Sequence, residues 1–245
     1  MRSGVAPVFK RIILKISGEA MRGGEPCGLD YGAVETIARE IAAVQKLGVE
    51  TAVVIGGGNI VRGAAISKMG ISRVPADYMG LLATVINGIA LQERLESIGA
   101  EARLMSAGIS LDAAEPYVRR RALTHLDNGR IVILTGGTGN PLFTTDTCAA
   151  LRAAELGAEV LLKATKVDGV YTADPKTHPD ASLIPRLTYL ECLKQELKVM
   201  DAAAISLCSE NKIPIIVFNM NVPDNIVRVV LGERIGSVVE GNSNG

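Results

Sequence analysis

The sequence predicts an α/β protein, a three-layer αβα sandwich around a mainly parallel central sheet. Three observations carry this. Short aliphatic runs without polar alternation recur along the chain, as expected of strands buried on both faces. Each is followed by a longer segment with helical periodicity, the order that a parallel sheet covered by helices requires. Aromatic residues make up only 3% of the 245 residues and Trp is absent, so the core has to be aliphatic.

"RIILKIS" (residues 11–17) reads as the first buried strand. "AVETIAREIAAVQKLG" follows, with Val34, Ile37, Ile41 and Val44 on one helical face and Gly48 as a stop. "TAVVI" is the second strand, "YMGLLATVINGIALQERLESIG" the second helix and "ARLMSA" a short third strand. "AAEPYVRRRALTHLDNG" predicts a helix over 113–129, "RIVILTGG" another strand and "DTCAALRAAELG" another helix. "EVLLKAT" is a strand leading into a Pro-, Asp- and Thr-rich loop over 168–186. Helix "KVMDAAAISLCSEN", strand "PIIVFNM", helix "NIVRVVLG" and strand "GSVVE" complete the chain. Nothing repeats and no segment has linker composition. One domain over 1–245 is expected, with lobes of about 8–135 and 136–245 sharing the sheet.

The totals narrow the function. A hydrophobic content of 48% promises a large core, and 26 basic residues balance 26 acidic ones. Zero net charge argues against a nucleic-acid partner, which needs a basic face. The apolar stretch around "YMGLLATVINGIAL" is expected to be too short, and too interrupted by Asn87, to cross a membrane. "MRSGVAPVFKR" has no apolar signal-peptide region. Cys27, Cys148, Cys192 and Cys208 are scattered, so neither zinc nor a disulfide framework is supported, and no metal-ligand set is assigned. The expected location is the cytoplasm.

Four strand ends carry unusual chemistry: "LKISGEA", "IGGGNIVRG", "TGGTGNPLFTTDT" and "LKATKVDGVYTADP". Glycines there can serve tight turns, but glycine, Ser and Thr groups facing one crevice are also what phosphate oxygens need. No P-loop motif exists, and the dinucleotide fingerprint fails because Val61 stands at its last glycine. Phosphoryl transfer needs fixed cations and dipoles around an in-line path. Lys15, at a strand end before Ser17 and Gly18, can supply one, or can snorkel. Lys163 lies within a buried strand and needs a partner or a function. Arg62 could fork onto a phosphate or be a surface charge. Asp146 could organise these cations or cap the helix that starts there. Asp77 is a candidate for ribose hydroxyls, and Asp174 for a turn or a nucleotide contact. A phosphate acceptor is already an anion, so no general base is required. His125 and His178 receive no role.

"KRIILKISGEA", "VVIGGGNIVRG", "TGNPLFTTDT", "LKATKVDGVYTADP", "LKVMD" and "FNMN" together resemble the bacterial uridylate (UMP) kinases of the amino acid kinase family. The likeness runs from about Lys10 to Glu240. It implies Mg²⁺-dependent transfer of the ATP γ-phosphoryl group to UMP, giving UDP, by a homohexamer that UTP inhibits and GTP activates. It implies that Lys15, Ile16, Ser17 and Gly18 line the ATP phosphates, with Lys15 catalytic beside Arg62, Lys163 and Asp146. Gly57 would face UMP, and Gly58 and Arg62 would lie where the donor and acceptor phosphates meet. Asp77 would hold the UMP ribose, while Thr138, Gly139, Asn140, Pro141, Leu142, Phe143, Thr144 and Thr145 wrap the uracil and its phosphate. Thr165, Tyr171 and Asp174 would hold the ATP nucleoside, and Asp201 in "KVMD" is a candidate to stand behind the residues that touch ligand. Gly23, Gly24, Glu25, Pro26, Cys27 and Gly28 stand at the loop that the family ties to GTP. The rival readings are a kinase of glutamate or aspartate, a nucleotide sensor, and a dehydrogenase.

Overall fold

The computed structural model describes residues 5–61, 66, 69–175, 177–178, 180–195, 197 and 199–241. Its strands are β1 (Arg11–Ile16), β2 (Glu50–Ile55), β3 (Ala102–Ser106), β4 (Glu115–Pro116), β5 (Ile131–Thr135), β6 (Val160–Thr165), β7 (Arg186–Thr188), β8 (Ile215–Asn219) and β9 (Ser237–Glu240). They form one sheet in the order β4-β3-β5-β2-β1-β6-β8-β9-β7. Every pairing is parallel except β8 with β9. The described helices are α1 (Tyr31–Lys46), α2 (Arg73–Ser97), α3 (Arg119–Asp127), α4 (Thr145–Leu156), α5 (Tyr189–Lys194), α6 (Ala202–Glu210) and α7 (Asn225–Val230).

Side-chain parity along the strands builds two cores. Ile12, Leu14 and Ile16 of β1 point into the layer made with α1, α2 and α7. Ile13 points the other way, against α4 and α6. The predicted αβα sandwich is therefore present, and both faces of the sheet are aliphatic as the unbroken apolar strands require.

Three expectations change. The helix expected over 113–129 is confined to Arg119–Asp127, because Glu115–Pro116 pairs instead with Met105–Ser106 as an edge strand. Pro116 suits that place, since an edge strand tolerates a residue that lacks an N–H. The tail of the 168–186 loop leads into β7 and α5, which the sequence pattern had not marked. Finally, α2 begins five residues earlier than expected and is long enough, with a mean hydropathy of 1.4, to match a membrane span. Packing gives that apolarity another explanation: Leu81, Val85, Leu91 and Leu95 are buried in the protein, and Asn87 is fully buried and hydrogen-bonded. An apolar stripe of Tyr78, Leu82, Ile86 and Ile89 remains exposed on the same helix.

Candidate active site

Strand register brings the two lysines together. Lys15 of β1 lies directly beside Lys163 of β6, and parity sends both side chains to the face that α4 covers. There Asp146 stands between them. Its Oδ1 is 2.7 Å from Lys15 Nζ and its Oδ2 is 2.7 Å from Lys163 Nζ. Lys163 Nζ also donates to the Val199 carbonyl. All three side chains are at most 15% exposed.

The electrostatics follow from burial set against pairing. Desolvation pushes the Asp146 carboxyl up, but the ammoniums of Lys15 and Lys163 outweigh it and hold the group below the ordinary carboxylate value. Lys163 is pulled below the ordinary lysine value, mainly by burial and further by Lys15, with Asp146 opposing. Two cations share one anion here. A crevice with that surplus of positive charge suits the oxygens of a phosphate chain.

The choice left open for Asp146 is decided: Thr144, not Asp146, caps α4, its hydroxyl accepting from the Asp146 and Thr147 N–H groups. The Asp146 side chain is thereby free for the lysines. Asp201 caps α6 through Ala204 N–H and also accepts from the hydroxyls of Thr144 and Thr147, tying the two helix starts together.

The glycine run leaves β2 beneath this cluster. Gly18 fits only because it has no side chain, since a Cβ would stand 2.5 Å from both the Gly56 carbonyl oxygen and Asn59 Oδ1. Ser17 caps the short 3₁₀ turn Gly18–Ala20, accepting from Glu19 N–H. Gly57 is pressed on α2, where a Cβ would lie 2.6 Å from the Gly80 carbonyl oxygen, whereas a Cβ on Gly58 would meet only Glu19 Cγ, at 4.0 Å. Arg62 lies outside the described residues.

The Thr138–Thr145 loop is held from α2. Asp77 Oδ2 accepts from Leu142 N–H at 2.9 Å, with Leu142 in the left-handed region at φ 74°. Thr84 accepts from Gly136 N–H at 2.8 Å. Thr138 hydrogen-bonds within the loop to Asn140, and Leu142 and Phe143 are exposed. On the other side of β1, Thr165 closes β6 by donating to Val167 and Phe218 carbonyls. Tyr171 donates to Asp168, and the Asp174 carbonyl receives Thr177 and His178 N–H groups, a turn. The 23–28 segment is folded by Arg22, which donates to the Glu25 and Pro26 carbonyls, and is anchored by Gly28 N–H to the Asn59 carbonyl.

The loops that the sequence singled out thus meet at the carboxyl ends of the central strands, where open α/β sheets bind ligands. This arrangement is shared with known proteins. Residues 10–219 match the model of the amino acid kinase family. The chain belongs to that family. Within it, the chain is 52% identical over 237 residues to the chloroplastic uridylate kinase PUMPKIN of Arabidopsis thaliana, covering 96% of this chain and 70% of that protein. The structure superposes on UMP kinase from Bacillus anthracis with a TM-score of 0.92 at 40% identity, covering 96% of this chain and 97% of that one. UMP kinase from Ureaplasma parvum gives 0.89 at 36% identity, covering 94% and 98%. Uridylate kinase from Archaeoglobus fulgidus gives 0.71 at 27%, covering 93% and 99%.

Four residues that support the site carry no role in the sequence reading: Asn59 and Thr147 stand inside the motifs "VVIGGGNIVRG" and "TGNPLFTTDT", and Thr84 and Asn87 lie in the helical run that follows the first of these. Asn87 leaves a signal in the sequence, a lone amide inside an apolar helical run. Among the described residues no three His, Cys, Asp or Glu side chains gather to hold a metal, and both Asp146 oxygens are engaged by lysines. The described residues therefore present no three-ligand cage for Mg²⁺.

Proposed function

We infer that this member of the amino acid kinase family is a UMP kinase, transferring the γ-phosphoryl group of ATP to UMP to give UDP. The Lys15–Asp146–Lys163 cluster above the glycine floor carries this reading, together with the likeness to UMP kinases along nearly the whole chain. In the transition state, negative charge spreads over the transferred group, and a fixed, partly desolvated ammonium stabilises it without reorganising. Lys15 supplies that ammonium, and Asp146 aims it. Lys163 adds positive potential from behind. The UMP phosphate attacks as an anion, so Asp146 acts by orientation and not as a base. Arg62 is the proposed clamp between the phosphates. ATP occupies the β6–β8 half with Ile16, Ser17, Gly18, Gly58, Thr165, Tyr171 and Asp174. UMP occupies the β2–β5 half with Gly57, Asp77 and the Thr138–Thr145 loop. We propose lobes 8–135 and 136–245 as mainly acceptor and ATP sides, with the Ile16–Gly18 and Gly58 loops of the first reaching to ATP and the Thr138–Thr145 loop of the second reaching to UMP. Mg²⁺ would come with ATP and, when bound, would neutralise charge on its phosphates.

The exposed stripe Tyr78, Leu82, Ile86 and Ile89 supports self-association, for which we propose the homohexamer. UTP as inhibitor and GTP as activator, the latter through residues 23–28, complete the proposal, with the cytoplasm as the compartment. All four cysteines are free thiols, which suits reducing conditions. No nucleic-acid or membrane partner is part of this reading.

The deciding experiment couples ADP formation to UMP, CMP, glutamate and aspartate in parallel. Turnover confined to UMP is expected. Turnover with glutamate or aspartate but not UMP overturns the assignment, and no turnover with any acceptor favours a nucleotide sensor.

A further inference from the structure

One buried polar pair lies under the site with no chemistry assigned to it. Asn59, in the glycine loop, and Asn87, in the middle of α2, are 2% and 0% exposed in an otherwise aliphatic layer. They face each other reciprocally. Asn59 Nδ2 donates to Asn87 Oδ1 at 2.9 Å and Asn87 Nδ2 donates to Asn59 Oδ1 at 2.7 Å. The second amide hydrogens go outward, Asn87 to the Gly56 carbonyl at 2.7 Å and Asn59 to the Gly28 carbonyl at 2.7 Å. All four amide N–H groups are used. Turning either amide over would set oxygen against oxygen, so the network itself fixes both orientations.

Two consequences reach the reaction. A trans peptide is planar, so a carbonyl at Gly56 held toward α2 forces the Gly57 N–H to point the opposite way. Among the described residues neither Gly57 nor Gly58 N–H has a partner, and such paired, oriented amides are donors for phosphate oxygens. Separately, the donor-side loop rests on the same pair: a Cβ on Gly18 would stand 2.5 Å from Asn59 Oδ1 and from the Gly56 oxygen. The pair therefore sets the attitude of the acceptor floor and its spacing from the loop beneath ATP. A leucine pair would fill this volume without burying two amides, at the expense of the donors to the Gly28 and Gly56 carbonyls, so the burial of the amides is accounted for by the backbone groups they orient.

We propose that Asn59 and Asn87 are positioning residues for phosphoryl transfer, acting by holding the Gly56–Gly57 peptide and the Gly18 loop in register. The inference rests on the kinase reading above. The test compares wild type, Asn87→Leu and the double variant Asn59→Leu/Asn87→Leu, with steady-state kinetics normalised to folded enzyme and with thermal midpoints. Asn87→Leu is expected to lower kcat/KM for UMP by on the order of tenfold to a hundredfold, because the peptide loses its orienting donor. It also strands one buried amide, lowering the midpoint. The double variant removes that orphaned amide, though it leaves the Gly28 and Gly56 carbonyls without these donors, and is expected to regain part of the midpoint but none of the lost kcat/KM.

A purely structural pair would instead return activity together with stability, and that result overturns the inference. Activity within twofold of wild type in both variants overturns it too. Should Asn87→Leu not fold, Asn87→Ser, which keeps one donor, carries the same readout. A wild-type enzyme that ignores UMP but phosphorylates another acceptor overturns the substrate assignment, and the same ratios read with that acceptor decide the pair.

Discussion

Replacing Asp146 by Asn leaves two buried ammoniums facing each other with a neutral amide between them. Each Nζ lies 2.7 Å from a carboxylate oxygen in the parent. At that separation the gross attraction is about 6 kcal/mol per pair at an effective dielectric of 20. Desolvation offsets much of it, and breaking a buried pair by removing one partner costs about 3–5 kcal/mol net. Asp146→Asn is therefore expected to lose about 3–5 kcal/mol at pH 7 in denaturant unfolding followed by circular dichroism. The pH dependence adds a signature. Because the folded-state pKa of Asp146 is lowered, its contribution is fully present above the unfolded value and is lost as pH falls through the folded one. The gap between parent and variant is thus full above about pH 5 and narrows in more acid solution. ATP, whose phosphates supply the missing negative charge, is expected to narrow it at pH 7 as well. A gap below about 1 kcal/mol at pH 7, the value of an exposed pair, would refute the reasoning. So would a gap that persists undiminished into acid.

Lys15→Ala is expected to lower kcat by on the order of 10²–10³-fold, as for other lost transition-state charge contacts; a stopped assay showing kcat within twofold of the parent would make this lysine structural. Asp77→Asn, which weakens the tie to Leu142 N–H and the proposed ribose contact, is expected to raise the UMP KM on the order of tenfold and leave the ATP KM unchanged. The opposite split would mean that donor and acceptor halves are reversed. Gly18→Ala forces a Cβ against the Gly56 backbone and is expected to lower stability by about 1–3 kcal/mol and weaken ATP binding, both readable by calorimetry. Burial pushes the thiols of Cys148 and Cys192 up to about 11 and that of Cys208 up to about 12, while Cys27 is exposed. A thiol reagent on the native protein is expected to label one site per chain, at Cys27; two fast-reacting thiols would contradict this burial.

The elements legible in the sequence are those whose pattern is local. Unbroken aliphatic runs mark β1, β2, β5, β6 and β8, because a strand buried on both faces has no polar positions to spare. The periodic face of Val34, Ile37, Ile41 and Val44 marks α1, and the four glycine-bearing loops mark the site. What failed was decided at a distance. Residues 113–118 have helical composition, yet the free edge of β3 captures Glu115–Pro116 as a strand. Lys15 and Lys163 are each suspicious in the sequence, but only the β1–β6 register makes them neighbours. Asp146 reads from the sequence as a cap before it reads as a counter-ion, but Thr144 takes the capping bond and leaves its carboxylate to the lysines. Asn59 and Asn87 are unremarkable alone and meaningful only once α2 lies across the glycine floor. Hydrophobic period and turn chemistry act over a few residues, so the chain's own order determined the sandwich and the crevice. Charge pairing and amide orientation act across strands and layers, so the working geometry of the site came only with the packed structure.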